Sequence, residues 1–162
     1  MFNFSLSWDE YKKAFEPDGS WRDIYLTETE AKTWKTLLEF LLETDYPKKF
    51  FVNKSERALT TNAWQIFQDQ KKNLLSLLTI DVNGVTLNCH FFDQNEIEFD
   101  FDPREVKDEQ NALAIFEFMS QIGAELEKDV FLTEEDAAED AWFIYDAASG
   151  EIIFQELERE TE

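Results

Sequence analysis

The chain has 162 residues, 43% of them apolar, with 16 phenylalanines among 25 aromatic residues and a formal net charge of −21. That length suits one domain able to bury roughly 70% of its unfolded surface, and so much aromatic content excludes a disordered chain despite the charge. The charge is uneven: residues 1–92 carry 11 Lys/Arg against 13 Asp/Glu and residues 93–162 carry 4 against 23, a field that repels nucleic-acid phosphates and anionic membranes and attracts cationic surfaces.

In chain order, "FNFSLSW" (residues 2–8) alternates with period two and predicts a first strand. "WDEYKKAF" predicts a short helix closed by the turn residues of "EPDGS", and "WRDIYL" a short strand. Thr27 with Glu30 reads as a capping box for a helix whose stripe is Ala31, Trp34, Leu37, Leu38, Leu41 and Leu42. That helix should end near Tyr46, because Pro47 disfavours helical geometry in the residue before it. "KKFFVN" predicts a strand and "TTNAWQIFQDQ" a helix with an Ala63/Ile66/Phe67 face.

The middle of the chain carries a hairpin. Asn83-Gly84 lies between two β-rich runs, the pair favoured in two-residue type I′ turns, so Val82 should face Val85, Ile80 Leu87, and Leu78 Cys89. Asp81, Thr79, Leu77, Thr86, Asn88 and His90 then share the opposite face. "DQNE" turns the chain into "EIEFDFD", completing a three-stranded meander. Pro103 suits the first turn of a helix reaching about Gly123, and "DVFL" predicts a strand. Thr133 with Asp136 predicts a cap on a helix through "EEDAAEDAW", and "WFIYDAASGEIIFQEL" closes as a hairpin turning at Gly150. The expectation is a single α+β domain over 1–162, an antiparallel sheet of hairpins and meander with helices packed mainly on one face.

The stretch "NCHFFDQNEIEFDFDP" holds the chain's one cysteine and one histidine. Cys89 falls on the core side of the hairpin and reads as a small buried hydrophobe. His90 and Asn88 share a face with Glu98 and Asp100, an arrangement open to acid–base chemistry or to a weak carboxylate–imidazole metal site. The same pattern describes a half-buried edge strand with its acids outward, and this reading is adopted. Paired CxxC, helical His pairs, GxSxG, GxGxxG and GxxxxGK[ST] are absent from the sequence, so no catalytic residue, metal or cofactor is assigned. Trp34 belongs to a helix stripe, while Trp8 and Trp21 flank a turn and read as core residues, with exposed interface anchors as the other option.

The start lacks the basic-then-apolar order of a signal peptide, no apolar run nears the ~18 residues of a membrane span, and a single cysteine forms no internal disulfide. A soluble, cytoplasmic chain is expected, without direct nucleic-acid contact.

In size, charge asymmetry and lack of a catalytic motif, with "WRDIYL" and "NCHFFDQNEIEFDFDPRE" as its distinctive stretches, the chain resembles the small acidic immunity proteins that bacteria make against secreted toxins. The resemblance implies a protein partner with a basic surface whose Lys and Arg are masked by carboxylates. Two acidic patches are the candidate partner-binding residues: Glu96, Glu98, Asp100 and Asp102 on the predicted strand, and Glu134, Glu135, Asp136, Glu139 and Asp140 on the predicted helix. A DNA mimic or a regulator of another basic protein uses the same physics. An enzyme built on His90 with neighbouring acids is the alternative of a different class.

Overall fold

The computed structural model describes residues 4–157. Its frame is a nine-stranded antiparallel sheet in the order β3-β2-β4-β5-β6-β1-β7-β8-β9. The strands are β1 (Arg22–Thr27), β2 (Lys48–Val52), β3 (Ser55–Arg57), β4 (Ser76–Val82), β5 (Val85–His90), β6 (Glu96–Phe101), β7 (Val130–Glu134), β8 (Ala137–Asp146) and β9 (Glu151–Phe154). The helices are α1 (Trp8–Tyr11), which runs into a 3-10 turn at Lys12–Phe15, α2 (Ala31–Glu43), α3 (Ala63–Lys71) and α4 (Glu109–Leu126). The domain is α+β.

Alternation decides which face is covered. Ile24, Leu26, Leu78, Ile80, Val82, Val85, Leu87, Cys89, Ile97, Phe99 and Phe101 are all fully buried. They meet Trp34, Leu37, Leu38 and Leu41 of α2, Ile66 of α3, and Ile115, Phe116, Phe118, Met119 and Ile122 of α4 in one core. Each such side chain contributes roughly 1.5–3 kcal/mol when taken out of water.

The meander has the expected register: Val82 faces Val85, Ile80 faces Leu87 and Leu78 faces Cys89. Asn83 and Gly84 take φ values of 49° and 90°, as a type I′ turn requires. Asn53 and Lys54, also at positive φ, make the β2–β3 hairpin in the same way.

Several sequence expectations need correction. Residues 2 and 3 of the first predicted strand lie outside the described residues, and residues 4–7 form no strand. Phe4 instead packs its ring on Tyr11 and Phe116, so its contacts are core aromatics rather than a strand ladder. Thr27 does not cap α2; the helix starts after Glu30, whose amide donates to the Thr33 hydroxyl. Pro103 opens only a 3-10 turn, and α4 starts after Asp108, whose carboxylate accepts from the Asn111 amide. No helix forms at 134–140. Thr133 is a fully buried strand residue opposite Ala141, its hydroxyl donating to the Glu134 carbonyl, and Asp136 turns the chain at φ 56°.

Candidate functional site

Helices cover one sheet face and leave the other open at its centre. On that open face, cross-strand pairing builds a row of side chains across eight strands. It runs Phe51, Leu77, His90, Glu98, Tyr25, Phe131, Ile144 and Ile153, each directly opposite the next. A parallel row holds Thr79, Asn88, Asp100, Asp23 and Thr133. The apolar members lie at the two ends, and the middle is a block of six polar side chains on β5, β6 and β1. β6 is thus an interior strand between β5 and β1, not the edge that its alternation suggested.

Within the block, hydrogen bonds are few and shared. Asp100 accepts from His90 Nε2 at 2.8 Å and from Asn88 Nδ2 at 3.0 Å. The Tyr25 hydroxyl lies 3.1 Å from Asp23 Oδ2 and 3.2 Å from Glu98 Oε1. It has one proton for two carboxylates, so at any moment one of them lacks it. Asp23, almost fully buried, also accepts from the Asp136 amide at 2.9 Å.

The electrostatics follow from this crowding. Burial, and then the charge of Asp23, push the Glu98 carboxyl up to about 7. Asp23 is raised by burial, with Asp100 and Asp136 adding to it against the hydrogen bonds it accepts. Tyr25 is raised by burial and by the two carboxylates it serves. The hydrogen bond that His90 donates to Asp100 raises the His90 pKa against the opposing effect of burial. Among the described residues no Lys or Arg forms an ion pair with Asp23, Glu98 or Asp100. The cluster is short of positive charge.

The structure separates the expected partner-binding acids by role. Glu96, Glu98 and Asp100 share the open face of β6. Asp102 caps the following 3-10 turn and forms an ion pair with Arg104 at 2.7 Å, which holds it below the usual carboxylate range. Glu134 faces inward, 3.3 Å from Arg22 and hydrogen-bonded to Trp142 Nε1. Glu135 accepts from the Trp21 amide. Glu135, Asp136, Glu139 and Asp140 are exposed around the β7–β8 hairpin rather than along a helix. Because Asp136 is bonded to Asp23, the hairpin acids and the strand acids adjoin through β1.

Asp23 and Tyr25 are the site residues that sequence reasoning missed. "WRDIYL" did alternate, with Arg22, Ile24 and Leu26 to one side and Asp23 and Tyr25 to the other. Only the non-local pairing of β1 between β6 and β7 sets that second pair beside Glu98 and Asp100. Arg22 is fully buried and donates to the carbonyls of Ala14, Glu16 and Trp21, anchoring the N-terminal segment.

Cys89 lies fully buried in the core, its thiol raised by desolvation. Trp34 is core as expected, Trp8 is half-buried against the core, and Trp21 is 38% exposed. No set of three His, Cys, Asp or Glu among the described residues is placed to hold a metal ion, and no helix among them is long and apolar enough to cross a membrane. Comparisons with protein-family models, curated proteins and solved structures give no match.

Proposed function

We propose that the chain is a binding protein that masks a basic protein partner through its open sheet face, in the manner of the immunity proteins it resembles. One observation carries this reading. Asp23, Glu98 and Asp100 are gathered on the sheet face away from the helices, Glu98 and Asp100 half-exposed beside the buried Asp23, and among the described residues no Lys or Arg forms an ion pair with them. Asp23 and Glu98, whose pKa values are raised, are under-stabilised as anions, and a guanidinium or ammonium from outside supplies the missing charge in a half-dry setting where it counts for most. Phe51 and Leu77 on one flank, with Phe131 and Ile144 on the other, supply apolar contact around the charged centre.

The exposed hairpin acids Glu139 and Asp140 then lie at the rim and steer association. The experiment is partner capture from the source cell followed by binding kinetics at two salt concentrations. Glu139→Lys with Asp140→Lys should lower the on-rate and its salt sensitivity. Asp23→Asn should raise the off-rate, and Glu39→Lys on the exposed side of α2 should change little. Salt-insensitive binding, or equal damage from Glu39→Lys, removes the support for masking.

The second reading is general acid–base chemistry, favoured by the Glu98 carboxyl at about 7 beside Tyr25 and the His90–Asp100 pair. Turnover that is lost in His90→Gln while partner binding is kept would select it.

A further inference from the structure

Beyond His90, the open face runs into a cavity of about 660 Å³ lined by Phe51, Asn53, Lys54, Gln70, Leu75, Ser76, Leu77, His90, Phe91 and Phe92. Its walls are mostly apolar. Leu75 and Phe92 are exposed, and the Phe92 ring stacks on His90 with centroids 4.8 Å apart. Size and lining fall in the range of small-molecule sites, where an apolar body is held by walls and a few polar groups fix its orientation.

Three of the polar side chains of this cavity are donors. The Asn53 side-chain oxygen accepts from the Leu75 amide at 2.9 Å, which leaves its Nδ2 as the group still to be bonded. The Gln70 side-chain oxygen accepts from the Ser76 amide at 2.6 Å, leaving Nε2. Both orientations are fixed, because a backbone N–H can only donate. Lys54 has no ion-pair partner among the described residues. His90 spends Nε2 on Asp100. The Asn53 and Gln70 amides and the Lys54 ammonium therefore offer donors at the wall, beside the Ser76 hydroxyl, which can donate or accept, and His90 Nδ1.

The surroundings agree. Residues 48–72 carry 6 Lys/Arg against 2 Asp/Glu in a chain of net charge −21, so this end of the sheet is its cationic end. Lys54 is also held at φ 69° in the second position of its hairpin, where glycine relieves strain and asparagine or aspartate is better tolerated. A lysine there costs local strain, of the sort that accompanies binding sites.

We propose that this cavity binds a small amphiphilic carboxylate, its alkyl or aryl body against Phe51, Leu75, Leu77 and Phe92 and its carboxylate on Lys54 with the Asn53 and Gln70 side-chain amides. The ligand is a free small acid, distinct from the basic protein partner of the acidic centre.

The test is calorimetry on the intact chain with octanoate, octanol and octylammonium. Octanoate should bind saturably at one site, at least about tenfold tighter than the other two, the scale of one charge-assisted hydrogen bond. Lys54→Gly relieves the positive-φ strain, so it should fold at least as well as the wild type and still lose that preference. Leu75→Ser should weaken octanoate and octanol alike. Absence of saturable octanoate binding, equal binding of octylammonium, or an unchanged octanoate affinity in folded Lys54→Gly each overturns the assignment.

Discussion

Replacing Glu98 by Gln should stabilise the protein above neutral pH. The folded-state pKa of about 7 lies above the ordinary 4.5, so the native state holds a proton that the unfolded chain releases. The stability linked to that proton is fully present below about pH 4.5 and is lost as pH rises through about 7. A shift of this size is worth about 3 kcal/mol for a dry group at about 1.4 kcal/mol per unit. The half-exposed carboxylate of Glu98 is screened by water, which reduces the figure to about 1–2 kcal/mol. Gln keeps an oxygen for the Tyr25 hydroxyl and removes the charge next to Asp23. Urea unfolding of both proteins at about pH 4 and pH 8 isolates the effect, since Asp18 and Asp102, whose lowered pKa values give the opposite pH trend, are common to both. The variant's advantage should grow by about 1–2 kcal/mol between the two conditions. A constant difference, or a variant less stable at pH 8, would refute the claim that Glu98 is ionised at a cost.

Two further substitutions examine the scaffold that positions the site. Gly84→Val places a β-branched residue at φ 90° in the β4–β5 turn, and thermal and urea unfolding should show a loss of about 1–3 kcal/mol; an unchanged midpoint would contradict the type I′ turn. Arg22→Ala removes the buried guanidinium from the Ala14 and Glu16 carbonyls and from Asp18 and Glu134, and should cost about 3–5 kcal/mol by urea unfolding. A loss below about 1 kcal/mol would mean that those groups find water without it.

Local chemistry made the centre of the sheet readable. Asn83-Gly84 specifies a two-residue turn, the turn sets the register, and the period of two places His90 and Asn88 with Glu98 and Asp100. What was not readable is non-local. β1 enters the sheet between β6 and β7, which begin only at Glu96 and Val130, and nothing within "WRDIYL" specifies those neighbours. The same pairing turns β6 from an apparent edge into an interior strand and raises its acids from solvated ornaments to crowded carboxylates. The 134–140 segment failed for a related reason. Its alanines and glutamates favour helix locally, but β7 and β8 pair across it, and a tertiary ladder outweighs a propensity of a few tenths of a kcal/mol per residue.

One proton connects the fold to the proposed activity. Between about pH 5 and 8 the open face gains negative charge as Glu98 ionises, and the folded chain loses stability over the same interval. A cation docked beside Glu98 and Asp23 lowers their raised pKa values and expels the Glu98 proton, so affinity should rise with pH where stability falls. The opposition has a structural origin. Arg22 is buried in the scaffold, Arg104 is paired with Asp102, and the lysines of β2 and the β2–β3 turn lie at the far end of the sheet. Among the described residues no Lys or Arg ion-pairs with Asp23, Glu98 or Asp100, and His90 does so with Asp100 when its ring is protonated. A surface selected only for solubility would keep its acids exposed and apart, whereas Asp23 is almost fully buried and Glu98 and Asp100 are half-buried beside it. Carboxylates held together at a cost to folding are what a partner's lysine or arginine would relieve, and on that ground the strand acids, more than the exposed hairpin, form the centre of the proposed interface.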